Sequence, residues 1–182
     1  ALKLSGAQNR KEQMAGTYNS LGVAYKNYGN AEEAIIAYRQ SLSLYRELGN
    51  PLSTAGCYTN IGNIYQMKDL SDSALYYQKR ALSMFDSLKN FRGQVICCNN
   101  LAGIFFKSGK LQDALVFNQK ALSISQSQNF FSSQIAALLG IGSIKVAERK
   151  TDEAERILLQ GILLAREKNY RSELVNLYKE LS

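Results

Sequence analysis

A forty-residue repeat is the sequence feature that most limits how this chain can fold. An aliphatic residue followed by a small one recurs at that interval, in the series Leu21-Gly22, Ile61-Gly62, Leu101-Ala102 and Ile141-Gly142. A column of mostly bulky residues lies three positions earlier, at Tyr18, Tyr58, Cys98, Leu138 and Tyr178. Self-similarity at a period of about 20–50 residues is typical of repeat arrays rather than of a single globular core.

Spacings of three, four and seven residues place the repeated residues of each unit on one face of a helix. Each repeat holds two such segments, separated by turn signals such as Tyr28-Gly29-Asn30 and Ser108-Gly109-Lys110. Between repeats, Gly49-Asn50-Pro51 supplies a residue suited to a left-handed helix cap and then a proline suited to the first turn of a helix. We therefore expect an all-α chain built from helical hairpins.

These columns resemble the tetratricopeptide repeat, whose pattern combines an aromatic residue, Leu-Gly, Tyr, and Ala followed by a second aromatic. Tyr18-x-x-Leu21-Gly22-x-x-Tyr25 with Ala34-x-x-x-Tyr38 matches that pattern well. Later repeats depart from it, because the second aromatic is replaced by Gln78, Asn118 and Leu158, and the tyrosine by Lys145. The resemblance implies a right-handed solenoid of stacked antiparallel helix pairs. The period is longer than the usual value of about 34 residues, which predicts helices of about 16–18 residues.

The repeat register divides residues 1–182 into a single array with incomplete ends. Residues 1–9 align with the tail of a preceding second helix, and repeats 1 to 4 follow at 10–49, 50–89, 90–129 and 130–169. Residues 170–182 align with the opening of the first helix of a fifth repeat. Both ends would present apolar faces, which solenoids normally cover with polar capping repeats. We therefore expect a segment of a longer array, whose apolar ends could associate two copies.

The residue types present argue against catalysis. The chain has no histidine, which is the commonest general base and metal ligand. Phosphate-binding glycine loops are absent, and paired acids such as Glu32-Glu33 fall in the first turns of helices. Cys57, Cys97 and Cys98 lack metal-site spacing, and we interpret them as packing residues with unbridged thiols. We expect no enzyme activity, no cofactor and no metal.

Charge and hydropathy restrict the class of partner. The net charge is +7, but the basic residues are mixed with acids along helix surfaces, which favours a solvated surface over a nucleic-acid interface. No run reaches the roughly 18 apolar residues of a membrane span, and the N-terminal residues lack the apolar core of a signal peptide. We expect no membrane contact and a cytoplasmic location, or a periplasmic one if the parent protein is a membrane-bound sensor.

The family resemblance also predicts where a ligand binds, because the first helix of each tetratricopeptide repeat lines the concave groove. The candidate peptide-binding residues at or next to groove positions are Asn19, Lys26, Asn60, Asn63, Gln66, Asn99, Asn100, Phe106, Lys107 and Ser143. Five of them form what we call the amide stripe: Asn19, Asn60, Asn63, Asn99 and Asn100. An amide donates and accepts hydrogen bonds, which suits a peptide backbone. Asparagine is also tolerated on exposed helix surfaces, but it is a below-average helix former, so five on one predicted face favour binding.

The inner surface of repeat 4 is apolar, with Leu139, Val146 and Ala147. Either an apolar peptide side chain docks there or a neighbouring segment of the parent protein covers it. Our main functional hypothesis is a non-catalytic scaffold that holds an extended peptide or protein segment through the amide stripe. The alternative is a sensory or regulatory region of a bacterial signalling protein, which acts on an attached histidine kinase or DNA-binding domain.

Overall fold

The computed structural model describes the backbone of residues 2–181 and the side chains of residues 6–181. Over this range the chain forms nine α-helices and no strand, which confirms the all-α prediction. In chain order the helices are α1 (Leu2–Asn27), α2 (Ala31–Glu47), α3 (Pro51–Met67), α4 (Ser71–Ser87), α5 (Phe91–Lys107), α6 (Leu111–Ser127), α7 (Phe131–Ala147), α8 (Thr151–Glu167) and α9 (Arg171–Leu181). Helices α2 to α8 each have 17 residues, within the predicted length.

Helices α1 to α8 each end in a three-residue turn with a left-handed middle residue. That residue is glycine in three turns and Asp69, Lys89, Asn129, Arg149 or Asn169 in the others. The third residue of the turn closes the helix by donating back to it, as Asn30 N–H does to the Tyr25 carbonyl at 2.9 Å. The Asn50 side chain then caps α3 by accepting from the Ser53 N–H at 3.0 Å. Turn and cap together direct consecutive helices to run antiparallel.

The N-terminal compact unit, residues 1–89, contains α1 to α4. Contacts join α1 to α2, α2 to α3 and α3 to α4. Its core is formed by Ala34, Ile35, Tyr38, Ile61 and Ile64. Gly22 allows the close approach of α1 to α2, because a Cβ there would lie 2.6 Å from the Tyr38 ring.

The C-terminal compact unit, residues 90–182, contains α5 to α9. Helix α7 contacts α5, α6, α8 and α9. The core of this unit includes Ile135, Leu158, Ile162, Ala165 and Leu177. Gly142 of α7 likewise lies against α8, since a Cβ there would lie 2.5 Å from Leu158 Cδ2.

One expected boundary does not form. Helix α1 runs without interruption from Leu2 to Asn27, through the predicted end of a preceding helix at residue 9. Arg10 occupies the repeat position at which Asn50 and Asn90 cap the next helix, but a missing cap does not by itself explain the continuity, because Phe130 at the same position also caps nothing and α7 still begins after it. Residue 1 and the side chains of residues 2–5, which belong to the same prediction, lie outside the described residues.

Candidate functional site

The predicted site residues of the N-terminal unit lie on its first helices, α1 and α3. Asn19, Lys26, Asn60, Asn63 and Gln66 are all partly buried rather than fully exposed. The Asn60 Nδ2 donates to Asn19 Oδ1 at 3.1 Å, so two members of the amide stripe bond to each other across neighbouring repeats. This bond therefore links α3 to α1, while the same side chains still present polar groups.

Asn63 is held by a residue of the second helix. Gln78 of α4 is fully buried, and its Nε2 donates to Asn63 Oδ1 at 2.8 Å and to the Thr59 carbonyl at 3.2 Å. Gln78 stands where the family pattern has an aromatic, and it packs against Gly62 in the way that Tyr38 packs against Gly22. The substitution thus changes an apolar contact into a polar anchor for the amide stripe.

The predicted residues of the C-terminal unit lie on α5 and α7. Asn99 and Asn100 are partly buried, whereas Lys107 is exposed and Phe106 is 37% exposed. The Asn99 Oδ1 is buried and accepts no hydrogen bond from any described residue. The Ser143 hydroxyl donates to the Leu139 carbonyl of its own helix at 3.1 Å, so its donor capacity is used locally.

Three of the predicted site residues, Asn99, Phe106 and Ser143, line a cavity of about 300 Å³ in the C-terminal unit, together with Leu139. Asn99 and Phe106 come from α5, and Leu139 and Ser143 come from α7. Asn118 of α6 also lines it, although only 6% of that residue is exposed. In the sequence, Asn118 is only a departure from the family pattern. A polar residue at a position that is normally aromatic was the signal that could have identified Asn118 as part of the site.

Two larger depressions, of about 640 Å³ each, lie on α2, α3 and α4 and contain no predicted site residue. Both are lined by Arg46 and Tyr58. The Arg80 guanidinium lies 5.4 Å from the centre of the Tyr76 ring and 6.0 Å from that of Tyr58. These contacts hold Arg80 over an aromatic surface and give the depressions a basic, aromatic lining.

Lys145, which replaces the family's tyrosine, forms an ionic network on α7 and α8. Its Nζ lies 3.1 Å from Glu153 Oε2 and 3.2 Å from Glu148 Oε2, and Lys150 Nζ lies 3.0 Å from the same Glu148 oxygen. The hydrogen bonds that Lys145 donates to Glu153 and then to Glu148 raise the pKa of Lys145. Hydrogen bonds from Lys150 and then Lys145 lower the pKa of Glu148. The network links the end of α7 to the start of α8.

The cysteines are buried in the helix interfaces and form no disulfide. Burial raises the pKa of the Cys57 thiol, although its contact with the Ser41 hydroxyl acts in the opposite direction. Within the described residues, no three side chains of the His, Cys, Asp and Glu types cluster as metal ligands would. No described helix has the length and apolar character needed to cross a membrane.

Family models match the chain over two stretches. A tetratricopeptide repeat model matches residues 13–87, and a second tetratricopeptide repeat model matches residues 96–127. The two matches together cover more than half of the chain. No curated protein sequence matches it.

Several solved structures share the fold. Aspartyl phosphate phosphatase F from Bacillus subtilis superposes with a TM-score of 0.88 at 15% identity, over 92% of this chain and 44% of that one. A Rap protein complexed with competence and sporulation factor superposes with a TM-score of 0.75 at 19% identity, over 90% and 46% of the respective chains. A Podospora anserina protein of the kinesin light chain type, with nearly identical repeats, gives 0.75 at 15% identity, over 94% and 84%. The chain therefore spans less than half the length of the first two structures.

Proposed function

Since the chain belongs to the tetratricopeptide repeat family, we propose that it is a non-catalytic scaffold that binds an extended peptide or protein segment. The observation that carries the proposal is the amide stripe, whose members lie on α1, α3 and α5 and remain partly exposed. An extended peptide needs donors and acceptors for its own N–H and C=O groups, and each asparagine amide supplies both.

The bonds within the stripe support this role. An amide offers two N–H donors and an oxygen with two lone pairs, and the Asn60–Asn19 bond uses one hydrogen and one lone pair. The pair therefore keeps further capacity for a ligand while its side chains are held in place. Because ordering a side chain on binding costs about 0.5–1.5 kcal/mol, amides that are already held favour binding.

The remaining candidate residues extend the same proposal. Lys26 and Lys107 would attract acidic side chains or a terminal carboxylate, and Gln66 would add a further amide. Phe106 would supply an apolar contact beside the stripe, and Ser143 an acceptor oxygen. Because free thiols persist in reducing compartments, we propose a cytoplasmic location, with a periplasmic one as the alternative if the parent protein is a membrane-bound sensor. The proposed partner is a protein or peptide, rather than nucleic acid or a membrane.

The test is simultaneous replacement of Asn60, Asn63 and Asn99 by alanine, with binding measured against a displayed library of extended heptapeptides. We expect the wild type to enrich a peptide family and the triple variant to bind those peptides about a hundredfold more weakly, since three hydrogen bonds contribute about 1 kcal/mol each. The matched control replaces three exposed amides outside the stripe by alanine: Asn9, Asn27 and Gln119. Unchanged affinity of the triple variant, with unchanged helical circular dichroism, would refute the role of the stripe.

A second candidate function is a regulatory region of a bacterial signalling protein, controlling an attached domain. The observation behind this candidate is the similarity in fold, at under 25% identity, to a phosphatase and to a Rap protein in complex with a factor. The sequence of the full gene distinguishes the two functions. An adjoining kinase or DNA-binding domain would support the regulatory role, whereas an array of repeats alone would support an adaptor.

A further inference from the structure

The cavity in the C-terminal unit has an apolar wall and an amide floor. Phe106 of α5 and Leu139 of α7 face it, and none of its lining residues is charged. Its volume of about 300 Å³ is at the lower end of the range for ligand pockets, which runs to about 1,000 Å³. Such a volume suits one side chain of a ligand rather than a helix.

Asn118 is the polar group of this cavity. The residue is 6% exposed, and it lines the cavity together with Asn99. The Asn99 Oδ1 is buried and accepts no hydrogen bond from the described residues.

The packing of repeat 3 explains why Asn118 points to the cavity. In the other repeats the equivalent side chain packs on a glycine of its own repeat, in the pairs Gly22–Tyr38, Gly62–Gln78 and Gly142–Leu158. Repeat 3 has Ala102 at that position, and the Asn118 amide instead lies against Gly140 of the next repeat. A Cβ at residue 140 would come within 2.7 Å of both Nδ2 and Oδ1 of Asn118. Ala102, a short polar side chain and Gly140 thus act together to expose an amide to the cavity.

We propose that this cavity binds the side chain of a glutamine in an extended peptide. The inference rests on the proposed function and names the side chain that the C-terminal unit selects. The two methylene groups of glutamine would pack between Phe106 and Leu139, and its carboxamide would pair with the Asn118 amide through complementary N–H and C=O groups. Rotation of the Asn99 amide about its soft terminal torsion would add an acceptor for the second ligand N–H.

Similar side chains are disfavoured for separate reasons. Leucine or methionine would fill the space and shield the Asn118 amide from water without giving it a partner, and sites built to hydrogen-bond a ligand reject analogues that lack the group. Glutamate has the shape of glutamine, but it would lose its hydration without meeting a counter-charge. The chain already contains one bond of this kind between a glutamine and an asparagine, since Gln78 Nε2 donates to Asn63 Oδ1 at 2.8 Å.

The experiment selects a displayed library of randomised heptapeptides on three proteins: wild type, Asn118→Leu and Gln119→Leu. Leucine is close to asparagine in shape and is the residue of repeat 4 at the equivalent position, Leu158. Gln119 is the exposed neighbour on the same helix and serves as the matched control. We expect the wild type and Gln119→Leu to enrich glutamine at one position by about tenfold or more over glutamate and leucine. We expect Asn118→Leu to enrich leucine or methionine at that position.

The outcomes separate this inference from the function on which it rests. If peptides bind but the wild type shows no glutamine preference, or enriches glutamate equally, the pocket chemistry is wrong and the scaffold function stands. If Asn118→Leu keeps the wild-type preference, Asn118 does not select the side chain and the inference is overturned. If no peptide is enriched on any of the three folded proteins, both proposals fail. Should Asn118→Leu not fold, Asn118→Ala takes its place and must lose the glutamine preference.

Discussion

Gly22 offers a sharp test of how closely the helices of a repeat pack. The variant Gly22→Ala would place a Cβ 2.6 Å from Cδ1 and Cε1 of Tyr38, whose ring is fully buried. Non-bonded carbon atoms normally lie about 3.5–4.0 Å apart, so the rigid ring or α1 must move by about 1 Å. Overpacking of this kind costs about 1–3 kcal/mol, while alanine gains about 1 kcal/mol over glycine inside a helix. We therefore expect a net loss of about 1 kcal/mol in the free energy of unfolding.

The same unit supplies the matched control. Gly56 lies inside α3, and a Cβ there would meet no atom within 4 Å. Gly56→Ala should therefore stabilise the protein by about 1 kcal/mol through helix propensity alone. Urea unfolding followed by circular dichroism should separate the two variants by about 2 kcal/mol, or about 1 M in midpoint. If Gly22→Ala stabilises the protein as much as Gly56→Ala does, the close packing of α1 on α2 is not a constraint.

Two further predictions concern the ionisable groups. Cys57, Cys97 and Cys98 are buried, and burial raises the pKa of the Cys57 thiol. We therefore expect thiol reagents to modify the native protein at least about a hundredfold more slowly than the urea-unfolded chain. Rapid labelling of the native protein would contradict the burial of these residues. Because the pKa of Glu148 is lowered in the folded state, its contribution to stability is present above the ordinary carboxyl pKa and is lost as pH falls through the lowered value. Glu148→Gln should therefore lower the urea midpoint of unfolding at pH 7, and the difference in midpoint from the wild type should shrink towards pH 3. A difference in midpoint that does not change with pH would exclude the ionic network around Lys145 as its cause.

Apart from the boundary expected at residue 9, the sequence was sufficient to predict the helices and the turns, because these depend on neighbouring residues. The forty-residue register predicts the buried aliphatic column, and Ile61, Leu101 and Ile141 are indeed buried. Leu21 of the same column is 40% exposed, because within the described residues α1 packs mainly on α2. Gly22, which follows Leu21, allows close helix packing, since a side chain at that point would meet the Tyr38 ring.

The tertiary structure alone decided which polar side chains bond to each other. Asn60 meets Asn19, and Gln78 meets Asn63, across helix interfaces that no local pattern specifies. Sequence comparison with the family treated Gln78 as a loss of pattern, whereas the structure gives it a buried polar contact. The identity of each amide's partner, 15 to 41 residues away in the chain, depends on the spacing of packed helices. Periodicity reports which face of a helix is buried, but only packing brings a particular donor within reach of a particular acceptor.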